Sequence, residues 1–322
     1  MAIESRAKWA ELIPDTGLKI SDFFDQGDAL YTPGISALLN VVPGTGAQEN
    51  FTGKTGFGEA IQFDDGSDIP TLRRDKTFLT SVVWKNYGGS VEITKNNIED
   101  QDFASQLDAM KDLSRSINFS VDKSGMQLFN GGFSTNTTVN GYDITLYNDG
   151  QPTFSTVHAT TVPGASTQSN ASSTGIQLTH DNLETAKVAL QLQQTDNGLP
   201  IGQNPNTLIV PVNLEREAKE VIMSDLTPES ANNAINVFKG SMDVVSSIFL
   251  DSVNGGSDTQ WFLMDRSMSN LYHGVRQEKR LNADINIKNM ITTFVVEARW
   301  RNYVKDWRGI YGSRGDLQSY AL

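Results

Sequence analysis

Apolar positions repeat at helical spacing most clearly between residues 96 and 131. Phe103, Leu107, Met110, Ile117, Val121 and Leu128 recur at intervals of three, four or seven, which puts them on one face of a helix. Asn96 or Asn97 can cap its start, and Glu99, Asp100 and Asp102 suit the positive end of the helix dipole. Gly131-Gly132 ends it. A helix of roughly 30 residues is about 45 Å long, which is long for a globular domain and reads as a girder on which other pieces lie.

Upstream the pattern is weaker. Glu4 to Ile13 spaces Trp9, Leu12 and Ile13 for one helical face before Pro14 stops it. Residues 15–55 hold strand-like and turn-like fragments without a strong period, punctuated by Gly34, Gly44, Gly46 and Gly53. So long a stretch without its own core is unusual in a compact domain, and it makes sense as an arm lying on a neighbouring subunit. Residues 57–93 read as strands around turns. Phe57 to Phe63 alternates loosely, Asp64-Asp65-Gly66-Ser67 is a turn signature, and Thr77 to Lys85 is rich in β-formers, including Phe78, Val82, Val83 and Trp84. The whole looks like a projecting hairpin with Arg73, Arg74 and Lys76 beyond its turn.

Downstream the pattern becomes α/β. Thr179 caps a helix running to about Gln194, with Leu183, Ala186 and Leu190 on one face, and Asp196-Asn197-Gly198 closes it. Thr207 to Val210 is a short buried strand ended by Pro211, Leu214 to Met223 a helix, and Val244 to Leu250 and Trp261 to Met264 further strands. Ile291 to Ala298 is strongly β, and Tyr303 to Tyr311 adds three aromatics. Thr160 to Gly175, rich in Ser, Thr, Ala and Gly, reads as a surface loop, and no internal repeat is visible.

Composition narrows the chemistry. The chain has 322 residues, 38% hydrophobic and 20% charged, enough apolar material for a packed core. It has no cysteine, which excludes disulfides, thiolate metal sites and thiol nucleophiles and fits a reducing cytoplasm. The opening MAIESRAKWAELIPD lacks the apolar core of a secretory signal, and runs such as Ile291 to Val296 are far too short to span a bilayer. A formal net charge of −12 argues against a protein that grips DNA phosphates, and is neutral toward a container.

None of the three histidines, His158, His180 and His273, sits in a metal-binding spacing. His180 falls where a helix begins and reads as a surface or cap residue. Gly53-Lys54-Thr55 resembles the end of a phosphate-binding loop, but the glycine required five residues earlier is Gln48. No G-x-S-x-G elbow occurs, and Asp64-Asp65-Gly66-Ser67-Asp68 lacks the alternating ligands and terminal glutamate of a calcium loop. No catalytic, cofactor or metal constellation emerges. The Arg73/Arg74/Lys76 cluster suits nucleic acid or acidic groups on a neighbour, and in an acidic protein intersubunit pairing is the simpler account.

The order of elements resembles the Hong Kong 97-type capsid fold of tailed phages, an α+β fold. Three segments are similar to the major head subunits of Mu-like phages and prophages: Asn148 to His158 (NDGQPTFSTVH), Asp196 to Ile201 (DNGLPI) with Pro205 to Pro211 (PNTLIVP), and Tyr303 to Gly312 (YVKDWRGIYG). The similar stretches run from about 77 to 312. The resemblance implies an N-terminal arm (1–55), an extended loop (56–86), a peripheral domain (87–179 and 291–322) containing a spine helix (96–131), and an axial domain (180–290). It also implies self-assembly into pentamers and hexamers that form an icosahedral head around double-stranded DNA contacted non-specifically. The implied partners are a portal and separate scaffolding or decoration proteins, with no membrane, and assembly takes place in the bacterial host cytoplasm. Because the arm begins almost at Met1, a fused scaffolding region is not expected. Some relatives join subunits through a lysine and an asparagine, but no motif carries that chemistry over to Lys54 or Lys76. Trp9, Phe57, Phe63 and Trp84, with Arg73, Arg74 and Lys76, are the expected intersubunit contacts. Deleting residues 1–55 is expected to leave a folded chain that forms no shells. The alternatives are an encapsulin-like compartment sharing the fold and, from a different class, a cytoplasmic α/β enzyme.

Overall fold

The computed structural model describes residues 20–94, 104–226, 235–286 and 291–320. The expected helix at residues 4–13, with Trp9, lies outside them, as do the candidate caps Asn96 and Asn97. The described elements begin with helix α1 (Ile20–Leu30), strands β1 (Asn40–Pro43), β2 (Gln48–Lys54), β3 (Lys76–Val83) and β4 (Lys85–Thr94), and the long helix α2 (Ala104–Asn130). There follow β5 (Thr138–Val139), β6 (Tyr142–Thr145), α3 (His180–Gln191), β7 (Thr207–Pro211), α4 (Glu215–Met223), β8 (Asp243–Ser247) and β9 (Trp261–Met264). The chain closes with β10 (Leu271–Asn286), β11 (Ile291–Val304) and β12 (Ile310–Ser313).

Two sheets organise the molecule. In the first, β10 and β11 form a long antiparallel ribbon; β1 joins β10 in parallel, while β4 and then β6 pair with successive parts of the other edge of β11. At about 3.3 Å per residue the ribbon is about 50 Å long, comparable with the ~40 Å of the 27-residue α2. The two pack together through Ile117, Val296, Ala298 and Trp300. The second sheet has the order β12-β9-β7-β8, with α3 and α4 burying Leu183, Ala186, Leu190, Ala218 and Ile222 against its Leu208, Val210, Trp261 and Leu263. Thr179 caps α3 as expected, its side chain accepting from the Asn182 amide at 3.3 Å. A cluster containing Phe129, Ile209, Phe262, Val304 and Trp307 joins the two halves.

The described part of the expected arm is not loose. α1 lies on α2, and Ile35, Leu38 and Leu39 are buried in the joining core. Two glycines permit this approach: a Cβ at Gly27 would stand 2.5 Å from the Lys111 carbonyl oxygen, and one at Gly125 would stand 1.9 Å from the Ile35 side chain. The attachment is largely polar. Ser114, Asn118 and Asp122 recur every four residues along α2. Ser114 and Asn118 donate to Asp28 at 2.6 and 3.1 Å, while Asp122 accepts from the Tyr31 hydroxyl and the Gly34 and Ile35 amides at 2.6, 3.0 and 2.9 Å. Lys279 of β10 enters the same cluster, bonding Ser114 and Asn118 at 3.1 Å and pairing with Asp28. Burial pushes its ammonium down to about 8, with Asp25 partly offsetting. Deleting residues 1–55 would therefore remove part of the core along with any arm, which corrects the expectation that the remainder stays folded.

Three further expectations are revised. The hairpin is formed by β2 and β3, so its first strand comes from residues assigned to the arm, and Phe57 to Phe63 forms no strand. The polar pattern of QENFTGK concealed β2, whose ladder depends on backbone bonds to β3. The stretch 271–286, placed with the axial segment, belongs to the first sheet; its Arg276-Gln277-Glu278-Lys279-Arg280 run carries no β signature, and its pairing with β11 supplies one. Conversely β12, placed with the peripheral segment, pairs with β9 in the second sheet. Gly309, at φ +90°, lets the chain turn between the sheets where a Cβ would stand 2.8 Å from the Met268 carbonyl oxygen.

Candidate assembly interface

The hairpin has a root and a loop. At the root, Phe51 of β2 stacks on Tyr303 of β11 (5.2 Å between centroids, 13° between planes), and Tyr303 stacks on Tyr272 of β10 (5.4 Å, 10°). The Lys305 ammonium sits 4.1 Å from the Phe51 ring and 4.0 Å from the Tyr272 ring. Burial lowers its pKa, with Glu49 opposing. On the other strand Phe78 meets Tyr147 edge-on at 5.7 Å, and the Leu79 carbonyl accepts from Asn148 at 3.0 Å. Where the strands end, Thr55 and Asp75 close the neck: the Thr55 amide donates to the Asp75 carbonyl, and the Asp75 amide to the Thr55 hydroxyl, both at 3.0 Å. Asn197, in the Asp196-Asn197-Gly198 turn, donates to the Gly56 carbonyl at 2.7 Å and ties the neck to the second half of the molecule.

Beyond the neck the loop has no regular structure except the expected turn, where the Ser67 amide donates to the Asp64 carbonyl at 3.0 Å. Phe57, Ile61, Phe63 and Ile69 are 50–74% exposed, side by side with exposed Glu59, Asp64, Asp65 and Asp68. Arg73, Arg74 and Lys76 are exposed too. The Arg74 guanidinium lies 6.0 Å from the Phe57 ring, and among the described residues none of the three basic groups forms an ion pair. So many exposed apolar side chains on one loop mark an interaction surface. Exposed apolar side chains also occur in the other half: Met223 at the last position of α4 with Ile235 and Val237 downstream, and, separately, Val253, 92% exposed, on a tight turn after β8.

Of the candidate contacts, the structure brings Phe57, Phe63, Arg73, Arg74 and Lys76 together on or beside the loop. Trp84 is a correction. It is 3% exposed, packs with Val82 and Tyr303, and lies against Gly44 and Gly274, so its cover comes from its own chain. It follows β3, where the strand turns into the first sheet, and the alternation of Val82 and Trp84 points both inward. The loop's Ile61 and Ile69 and the exposed Val237 and Val253 were missed, because single apolar residues among polar ones give no periodic signal.

Two histidines are structural. His158 stacks on Trp307 (4.1 Å, 3°), with Nδ1 2.7 Å from Asp149 and Nε2 3.1 Å from the Asn170 side-chain oxygen. Asn170, fully buried, also accepts from the Ser155 amide and donates to the Thr153 and Trp307 carbonyls. This network pins the long irregular segment 148–179 to the segment joining β11 and β12. Burial lowers the pKa of His273, which bonds Asn302 at 2.6 Å. His180 opens α3 as expected and lies against Phe238. Among the described residues no group of three or more His, Asp or Glu side chains is placed to hold a metal ion, and no helix is long and apolar enough to cross a membrane.

The sequence profile described as "Phage capsid protein" matches residues 79–312, a stretch that contains all three of the segments singled out above. Among curated proteins none matches the sequence. Solved structures supply the likeness in fold. A chain of the bacteriophage JBD30 capsid superposes with a TM-score of 0.56 at 17% identity, covering 78% of this chain and 100% of the other. A chain of Mycobacterium phage Patience gives 0.56 at 11% identity, covering 100% and 96%. A chain from the JBD30 capsid decorated with minor capsid protein trimers gives 0.52 at 17%, covering 69% and 92%.

Proposed function

The chain belongs to the phage capsid protein family, and from that premise we propose that its exposed loop and the exposed apolar side chains of its other half are the bonds of an icosahedral head. As a member of that family it is a structural protein of the virion capsid, not an enzyme. In the proposed assembly, residues 180–264 with β12 form the axial part around five-fold and six-fold axes, where Val237 meets its counterparts. The first sheet and α2 form the peripheral part. The loop of residues 55–75 reaches over a neighbour, covering Phe57 and Phe63 and pairing Arg73, Arg74 and Lys76 with acidic groups. Trp9, at the start of the chain, is proposed to make a further contact of this kind.

Such contacts are heterologous, and they close into rings of five or six where the rotation permits. Obligate interfaces of this kind bury of order 2,000 Å² or more. Double-stranded DNA is the proposed content, touched without sequence preference by a wall whose net charge of −12 limits sticking. A portal, and separate scaffolding or decoration proteins, are the proposed partners, with assembly in the bacterial cytoplasm. A position close to the Mu-like head subunits is the proposed place within the family. The observation that carries this reading is the contrast between a hairpin root packed on stacked rings of its own subunit and a loop of uncovered apolar side chains.

The test is size. The chain expressed in bacteria is examined by sedimentation and negative-stain electron microscopy, where closed particles or rings of five or six are expected. A persistent monomer of 35.3 kDa would contradict the reading. Particles holding enzymes in place of DNA in the infected or induced host would favour a compartment of the encapsulin kind.

A further inference from the structure

Beside the hairpin root lies a recess of about 370 Å³ with a mixed polar and apolar lining, walled by Leu79 to Ser81 of β3, by the end of β6 and the residues after it, and by segments around Thr135 and Gly150. Two buried polar groups in this wall are left incomplete by the chain. Thr80 is 2% exposed, and its hydroxyl has no hydrogen-bond partner. Arg301 is 9% exposed; its Nε donates to the Thr145 hydroxyl at 3.0 Å and its Nη2 to the Ile144 carbonyl at 2.7 Å, while Nη1 makes no hydrogen bond.

Asp143 stands 3.4 Å from Nη1, but it is already engaged by Lys85 at 2.9 Å and by the Thr138 hydroxyl at 2.6 Å. Two cations and one carboxylate leave a local surplus of one positive charge. Arg301 is the one charged residue among those lining the recess. Burial lowers its pKa, against the opposing effects of Asp143 and Tyr87. A buried hydroxyl without a partner and a buried, half-compensated cation are each costly until a third group completes them.

We infer that the recess receives a carboxylate from the Asp64–Asp68 turn of a second copy's loop, held by the Arg301 guanidinium and the Thr80 hydroxyl. A surplus of one charge matches a singly charged carboxylate better than a phosphate, and guanidinium N–H groups suit carboxylate oxygens. The turn presents three carboxylates, Asp64, Asp65 and Asp68, all exposed and none lining the recess of its own chain. About ten residues on each side of the turn give it a reach of roughly 30 Å from the neck, sufficient to cross onto a neighbour. The inference rests on the shell reading and adds to it the site where one loop is received.

Thr80→Val separates this site from the fold, because the near-isosteric change removes only a hydroxyl that has no partner within the subunit. The thermal stability of unassembled T80V subunits is expected to equal or exceed that of wild type, while the concentration at which particles form, read by light scattering, rises roughly three- to tenfold. The loop variant D64N/D65N/D68N is expected to raise that threshold at least as far, and combining it with T80V to add little, because both remove the same contact. Normal assembly of T80V, or full multiplication of the two effects, would overturn the inference while leaving the shell reading intact. A wild-type chain that forms no particles at any concentration overturns both.

Discussion

The root of the hairpin and its loop are built from the same continuous stretch of chain, yet they are satisfied in opposite ways. At the root, Phe51 and Phe78 are engaged within the subunit, by stacked tyrosines and the Lys305 ammonium and by Tyr147. Past the neck at Thr55 and Asp75, Phe57, Ile61, Phe63 and Ile69 have no such cover. The difference teaches which bonds make the subunit and which are left for the assembly. A chain that ties its hairpin down at the root leaves the loop beyond the neck exposed, and the apolar area there is area to be buried on a neighbour.

The largest expected effect comes from replacing residues 57–73 by a short glycine turn, which leaves Thr55 and Asp75 to close the neck. Subunits of normal thermal stability and no particles are expected by sedimentation; particles of normal size would break the contrast outright. Next is Asp122→Ala on the attachment of α1, which strips partners from Tyr31, Gly34 and Ile35 at once. A loss of about 3 kcal/mol in subunit stability is expected in urea denaturation. Phe57→Ser and Phe63→Ser should each raise the assembly threshold several-fold with subunit stability within about 0.5 kcal/mol of wild type. Lys305→Met removes a cation from the rings of the root and is expected to cost about 1 kcal/mol of stability. Its effect on assembly should be no greater than that loss accounts for.

The smallest effect is a pH dependence on the opposite face of the first sheet, where His273 and Asn302 point toward Ser124 of α2. Burial holds the His273 pKa below its ordinary 6.5, so the unfolded chain takes up a proton there before the folded one does. Folding stability supplied by neutral His273 is complete above about pH 6.5 and falls as the pH drops below it. His273→Asn should flatten the urea midpoint between pH 6.5 and 5.5 relative to wild type; parallel profiles would remove His273 as a contributor.

Much of this contrast was legible in the sequence, and its limits have physical reasons. The long helix, the capped α3, the buried strands Thr207 to Val210 and Trp261 to Met264 and the turn at Asp64 to Ser67 all announce themselves through apolar period or turn chemistry. Phe57 and Phe63 stood out because nothing nearby could bury them. The same test misassigned Trp84, whose cover comes from Gly44, Gly274 and Tyr303, residues far from it in sequence. β2 and β10 were hidden because their sequences are polar and their strand character comes from their partners. The attachment of α1 is hidden because it depends on Ser114, Asn118 and Asp122, a polar row that adds nothing to the apolar period of the helix. Arg301 and Thr80 stood apart from every motif; only their burial without complete partners brings them forward.

The measurement that tests the central claim most directly is a hydroxyl-radical footprint of the wild-type protein as isolated subunits and as assembled particles. Oxidation of Phe57 and Phe63 is expected to fall several-fold on assembly, while Phe51 and Trp84, covered in the subunit already, stay equally protected in both. Equal labelling of Phe57 and Phe63 in the two states would contradict the claim that the loop is the bond between subunits.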